Sequence, residues 1–378
     1  MNPFINLIIC LLLSGSLSAQ CAASYIGTSN RMVYNESVMD SLISPQHYKA
    51  IFYGETHNVH FEPEWKLHLI KHLHARHGIK HVFMEVGIAA AYLFNQYLNT
   101  GDTSLIHGLV YTDHHYKDFW KDLHTYNISV PADQRLVIHG VDFERTEVLK
   151  VLAVTTPVPP SLQEVFKRMD AAHTLNAFDP EFEQLLCLIQ SEFRAKENDV
   201  KVLYGERYPL ISRIIRNDCP ITQRAIPRNK VMYRHLKEAL KDSSIHTFIG
   251  FFGQAHTTYN TSSSLPNSLK KENDYKGKVF TFMSVYKDVY SPNGIIPYAG
   301  LFRTEVLESL YNKYMNPACR ATVIPARQIA NKKLRKSADL ILFAKDYLNS
   351  GQLSSQIANF SINSTALEMP PKLFKFFP

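Results

Sequence analysis

The chain has 378 residues, 45% of them hydrophobic and 20% charged, which is enough apolar length to bury the core of one large α/β domain with insertions or of two smaller domains. Its formal net charge of +7 comes from 41 basic and 34 acidic residues that are dispersed rather than run together in blocks, and this excludes the clustered basic arm of a nucleic-acid binder. After the first residues no stretch is long and apolar enough to be a transmembrane helix.

In chain order, Met1 to Ala19 holds an apolar run from Phe4 to Leu13 and then the small residues Ser14-Gly15-Ser16-Leu17-Ser18-Ala19. This is the pattern of a secretory signal peptide, although its start carries no Lys or Arg, and it predicts an exported protein, periplasmic or secreted, whose mature chain is residues 20–378. Cys21 offers a lipid-anchored alternative, with Gln20 standing where a small residue is expected. With Cys10 removed, Cys21, Cys187, Cys219 and Cys319 remain. Their number fits disulfides in an oxidising compartment, and equally fits buried free thiols.

Ala50 to Tyr53 reads as a short buried strand, followed through Pro63 by a helix with Trp65, Leu69, Ile70 and Leu73 on one face. Val82 to Met84 is a second strand, and a helix through Ala89, Ala90, Leu93 and Leu98 stops near Gly101. Thr112 to Asn127 has helical spacing at Phe119, Trp120 and Leu123, and Leu136 to Val141 returns to the sheet. Residues from about 157 to 240 are helical in pattern, an insertion or cap. Thr247 to Phe252, Val279 to Val285 and Leu340 to Phe343 complete the sheet, with a polar loop over Thr261 to Lys276 that would border the site. The expected fold is α/β: a largely parallel central sheet flanked by helices, in one domain that carries the helical insertion.

The strand ends carry the chemistry. The first runs into Gly54-Glu55-Thr56-His57, the second into Glu85, the third into Asp142, and a later one into Gly253-Gln254-Ala255-His256. In α/β proteins the carboxyl edge of the sheet is where sites are kept, so these carboxylates and imidazoles would converge. Each has a plainer reading as well: His57 as a helix cap, Asp142 as a partner of Arg145 or a cap on a helix from Phe143. His68, His72, His74 and His77 read as the solvated face of one helix rather than as a metal comb.

The order of several further motifs resembles a superfamily that joins the erythromycin esterases, the ChaN-type haem-binding lipoproteins and the Tiki-type proteins. The similarity runs loosely from residue 50 to residue 345: the Gly-Glu…His element, Glu85, Asn95-Gln96-Tyr97-Leu98-Asn99-Thr100-Gly101-Asp102, Phe119-Trp120, Tyr126-Asn127, Gly140-Val141-Asp142, Arg228 with Met232, and Ala338-Asp339. Three departures stand out. One residue rather than two separates Glu55 from His57, the late His-Asn-Ala-His keeps only His256, and Lys66 stands where an arginine is expected.

The resemblance implies a hydrolase in which His57 activates water, Glu85 is its partner carboxylate and no metal takes part. Read from the residues, a neutral His57 is suited to accept a proton from water near neutral pH, with Glu55 or Glu85 to orient it. His256 or Lys66 would stabilise the oxyanion of an ester or lactone in a small-molecule substrate. No Gly-x-Ser-x-Gly elbow supports an acyl-enzyme route. The same oxygen and nitrogen donors, with Asp142, would also suit a divalent metal in a Tiki-like hydrolase, and a ChaN-like protein would instead bind haem or another ligand without catalysis. No cofactor is expected under the first reading.

Overall fold

The computed structural model describes residues 20–25, 32–43, 47–56, 59, 61–109, 116–175, 179–217, 227–291, 294–300, 304–316 and 319–345. The expected signal segment, residues 113–115 and the residues after 345 lie outside these. Among the described residues ten strands form one mixed sheet: β1 Gln20–Tyr25, β2 Met32–Tyr34, β3 Ala50–Glu55, β4 His81–Met84, β5 Val137–Gly140, β6 Phe248–Gly253, β7 Val279–Ser291, β8 Gly294–Ala299, β9 Ala321–Pro325 and β10 Leu340–Lys345. Their order is β2-β1-β9-β10-β7-β3-β6-β4-β5, with β8 paired to β7. The run from β10 to β5 is parallel throughout, and β1, β2, β8 and β9 join antiparallel at one side.

The parallel strands read as unbroken apolar runs because both of their faces are covered. In β3, Ile51 and Tyr53 enter the largest core cluster, whereas Ala50 and Phe52 enter a second one with Phe83, Met232, Leu236 and Phe248 on the opposite face. Chain order reverses at β3: the path runs out through β4 to β5, returns to β6 between β3 and β4, and crosses to β7 on the other side of β3. Such a reversal opens a crevice at the carboxyl ends of the strands. In-register pairing of Glu55 with Gly253 and of Gly54 with Met283 brings those ends level. Gly54 is required there, since a Cβ would collide with Thr257 Oγ1 and crowd Phe282 O at 3.2 Å.

The helix expected from Pro63 begins at Phe61 and ends at His77. The next spans Ile88–Thr100 and is closed by Gly101 in the left-handed conformation at φ 74°. The third, which holds Phe119, Trp120 and Leu123, spans Lys117–Ser129. Between β5 and β6 the described chain is helical, over Glu147–Leu152, Gln163–Ala172, Pro180–Ala195, Glu197–Tyr204, Tyr208–Ile215 and Arg228–Ala239. Cys187 and Cys319 are each disulfide-bonded.

Two expectations are corrected. The polar segment Thr261 to Lys276 is packed structure, with a helix over Leu265–Leu269 that Ser264 caps and whose Leu265 and Leu269 are buried. Its apolar residues at the ends of one turn outweigh its polar composition. The histidines of the Phe61–His77 helix do not form a solvated face: His72 and His74 are buried, because helices Glu36–Leu42 and Lys117–Ser129 cover that side.

Candidate functional site

Five of the six residues singled out at strand ends or beside them, Glu55, Lys66, Glu85, Asp142 and His256, occupy one edge of the sheet in two linked clusters. The first surrounds the end of β3. Glu55 and Lys66 form an ion pair in which both side chains are almost fully buried, at 3% and 1% exposure. Lys66 Nζ also donates to Tyr116 OH at 2.8 Å and lies over the rings of Tyr116 and Phe251. Burial works to lower the Lys66 ammonium, but Glu55, with Tyr116 and Glu62, outweighs it and holds the group above its ordinary value. The amide of Thr56 donates to Glu62 Oε1 at 3.0 Å, and Gln254 Nε2 reaches Thr56 Oγ1 at 2.8 Å and Ser284 O at 2.6 Å. Burial pushes the Glu62 carboxyl up to about 7, with Lys66 opposing.

The second cluster joins the ends of β4, β5 and β6. Glu85 Oε2 accepts the amide of Gly253 at 2.7 Å, while Glu85 Oε1 meets Arg228 Nη2 at 2.8 Å and faces His256 Nε2 at 3.5 Å. Arg228 Nε donates to Asp142 Oδ1 at 3.0 Å, and its Nη2 donates to Asp142 Oδ2, a two-point clamp on a carboxylate that is 1% exposed. His256 Nδ1 is hydrogen-bonded to Asn229 Oδ1, and the ring presents Nε2 to Glu85. Gly253 and Gln254 are consecutive, one bonded to Glu85 and the other to Thr56, so a single backbone link couples the clusters.

Both anchors of the second cluster come from the first turn of the Arg228–Ala239 helix, which Met232 and Leu236 seat against the sheet. A cation at the positive end of a helix is unfavourable unless anions face it, and Glu85 and Asp142 supply them. Asp142 is thus Arg228's partner and not a cap, since the helix after it begins at Glu147. His57 lies outside the described residues. Its neighbour Thr56 is held by Glu62 and Gln254 at the mouth of the first cluster.

Sequence reading did not single out Glu62, Tyr116, Gln254 or Asn229 for the site, and it gave Arg228 only as part of a motif. Arg228 was recoverable from that motif. Other motif residues serve the fold: Asn95 exchanges two 2.8 Å hydrogen bonds with the backbone of Ile138 in edge strand β5, Asn127 links Leu98 O to Leu136 N, and Asp339 accepts Tyr259 OH at 2.6 Å and Thr281 N at 2.9 Å.

No family model and no curated protein matches the sequence. Solved structures do. A protein from Bacillus cereus is 15% identical with a TM-score of 0.58, over 90% of this chain and 97% of its own. A succinoglycan biosynthesis protein is 15% identical with a TM-score of 0.56, over 86% and 94%. A mutant of the erythromycin esterase EreC in its open conformation is 12% identical with a TM-score of 0.55, over 82% and 94%. The α/β fold expected from the strand and helix patterns is the fold found, and it is one that this chain shares with erythromycin esterase.

Proposed function

We propose that the chain is an exported hydrolase that activates water with an imidazole–carboxylate pair to cleave an ester or lactone bond of a small-molecule substrate. The observation that carries this reading is the meeting of Glu85, Arg228 and His256 at the reversal of the sheet. Side-chain exposure rises from 4% at Glu85 to 18% at His256 and 30% at Arg228, so the groups suited to take a proton or face an oxyanion reach solvent, and the carboxylate behind them sets their orientation. His57, next to the tethered Thr56, is the proposed water-activating base, and His256 is the second imidazole. Lys66 is assigned to holding Glu55, since the pair is buried, and Arg228 takes the oxyanion role.

A metal-dependent mechanism fits these residues poorly. Glu55 faces Lys66, and Glu85 and Asp142 share Arg228, so the charge that a cation would neutralise already has a basic partner. Export is supported by the apolar run Phe4 to Leu13 and by the disulfides at Cys187 and Cys319. The test is hydrolysis of a panel of nitrophenyl esters and macrocyclic lactones by the full chain. The expected result is turnover that falls by about 10²–10⁴-fold in His57→Ala and in His256→Ala. A protein that hydrolyses none of the panel but develops a Soret band on titration with haem would overturn the assignment in favour of a carrier.

A further inference from the structure

Far from the strand tips, the Glu36–Leu42 helix lays Asp40 against the last turns of the Phe61–His77 helix. Asp40 Oδ1 is 2.9 Å from His72 Nε2 and 3.3 Å from His77 Nε2. The two imidazoles thus present the same ring atom to one carboxylate oxygen, with their planes inclined at 71°. One donor atom from each of the three residues lies within 4.8 Å of the other two, the one such group of histidine, cysteine and carboxylate donors among the described residues.

The two Asp40–histidine separations approach those of a coordination shell. An ion held at about 2.0–2.1 Å by nitrogen and oxygen in a tetrahedral arrangement spaces its ligands by roughly 3.3 Å, and the two Asp40–histidine distances are already close to that. His72 is buried and the His77 side chain is only 15% exposed, so the cluster is sheltered from bulk water. Glu36, one turn before Asp40, adds negative charge beside the site. Arg76 Nη2 lies 3.6 Å from Glu36 Oε2 and 4.0 Å from Asp40 Oδ2, but its side chain is 57% exposed and free to turn into solvent. A cleft of about 550 Å³ whose lining includes His77, Arg76 and His246 lies beside the cluster.

We propose that Asp40, His72 and His77 form a binding site for one divalent transition-metal ion of the zinc class. Two imidazole nitrogens and a carboxylate suit zinc, whereas calcium and magnesium prefer all-oxygen shells. The site is structural and stands apart from the proposed chemistry: His72 and His77 are six and eleven residues beyond Lys66 on the same helix, about 9 and 16 Å along its axis at a rise of 1.5 Å per residue. Bound metal would pin the Glu36–Leu42 helix to the rim of the sheet opposite the candidate active site.

The test is calorimetric titration of the chelator-stripped full chain with zinc, paired with thermal unfolding and with cobalt absorption as a report on coordination. One equivalent is expected to bind and to raise the unfolding midpoint. In His77→Ala and in the near-isosteric Asp40→Asn, affinity should fall by at least about 100-fold, since even outer-shell changes cost 10–100-fold, and the cobalt spectrum should be lost while ester hydrolysis persists. Absence of zinc binding by the wild-type chain, or unchanged stoichiometry and affinity in both variants, would show that the three residues are a hydrogen-bonded cluster and overturn the proposal.

Discussion

Lys66 and Glu55 illustrate how much a single buried residue can commit. Removing one partner leaves the other charged and out of water, so Lys66→Met is expected to cost about 3–5 kcal/mol in urea denaturation, while Lys66→Met combined with Glu55→Leu should recover most of that loss. If the single and double variants are equally destabilised, the pair is not what the two charges answer to. Glu62 makes a second prediction at this scale. Its folded pKa, about 7, lies above the ordinary 4.5, so the folded chain holds more protons than the unfolded one between those values. The stability it contributes is complete below pH 4.5 and is lost as pH rises to about 7, on the order of 3 kcal/mol in all. Glu62→Gln should flatten the stability–pH curve across that window, and an unchanged slope would contradict the assignment. Glu55, Glu85, Asp142 and His256 were legible in the sequence because each stands at or a few residues beyond the end of an apolar run. Glu62 was not, because a glutamate in the first turn of a helix looks like a favourable surface charge, and only the tertiary fold buries it under Thr56 and Ser284.

At the scale of elements, side chains close the ends and edges that helices and strands leave open. Asn95 satisfies both backbone groups of Ile138 on edge strand β5, and Glu144, fully buried, accepts the amides of Ile88 and Ala89 at the start of the Ile88–Thr100 helix. Asn95→Ala strands a buried amide and a carbonyl together, and a loss of about 1–3 kcal/mol is expected in thermal or chemical unfolding; a neutral result would mean that water or a neighbour replaces the asparagine. Asn95 and Asn127 belong to motifs that carried the resemblance to the esterases, yet in this chain they hold a strand and a helix in place, so a resembling motif is not by itself a catalytic one. The parallel strands were readable because double-sided burial makes them continuously apolar. The antiparallel flank of β1, β2, β8 and β9 was not. Within it β1 pairs with β9 some 300 residues later, which no local window records, while β2 and β8, which the reading passed over, pair with strands adjacent in sequence.

At the scale of the whole molecule, the reversal of chain order at β3 gathers groups that lie some 170 residues apart in sequence, such as Glu85 and Gly253, into one crevice. The helices between β5 and β6 contribute to that crevice from outside the sheet: Asn217 donates to Asp142 O at 3.0 Å and to Glu144 Oε1 at 2.8 Å, and Arg228 and Asn229 complete the second cluster. The insertion therefore supplies part of the site as well as its surroundings, which the sequence marked only as a change in helical pattern. Glu85 is the residue on which both halves of the arrangement depend, since it joins Gly253, Arg228 and His256. The most direct measurement is therefore kcat/KM for ester hydrolysis by the wild-type chain and by Glu85→Gln, each assayed with and without chelator at a temperature where the metal-free protein stays folded. Hydrolysis by the wild type that resists chelation and falls by at least about 100-fold in Glu85→Gln is the expected result. Hydrolysis abolished by the chelator, or a Glu85→Gln chain as active as the wild type, would contradict it.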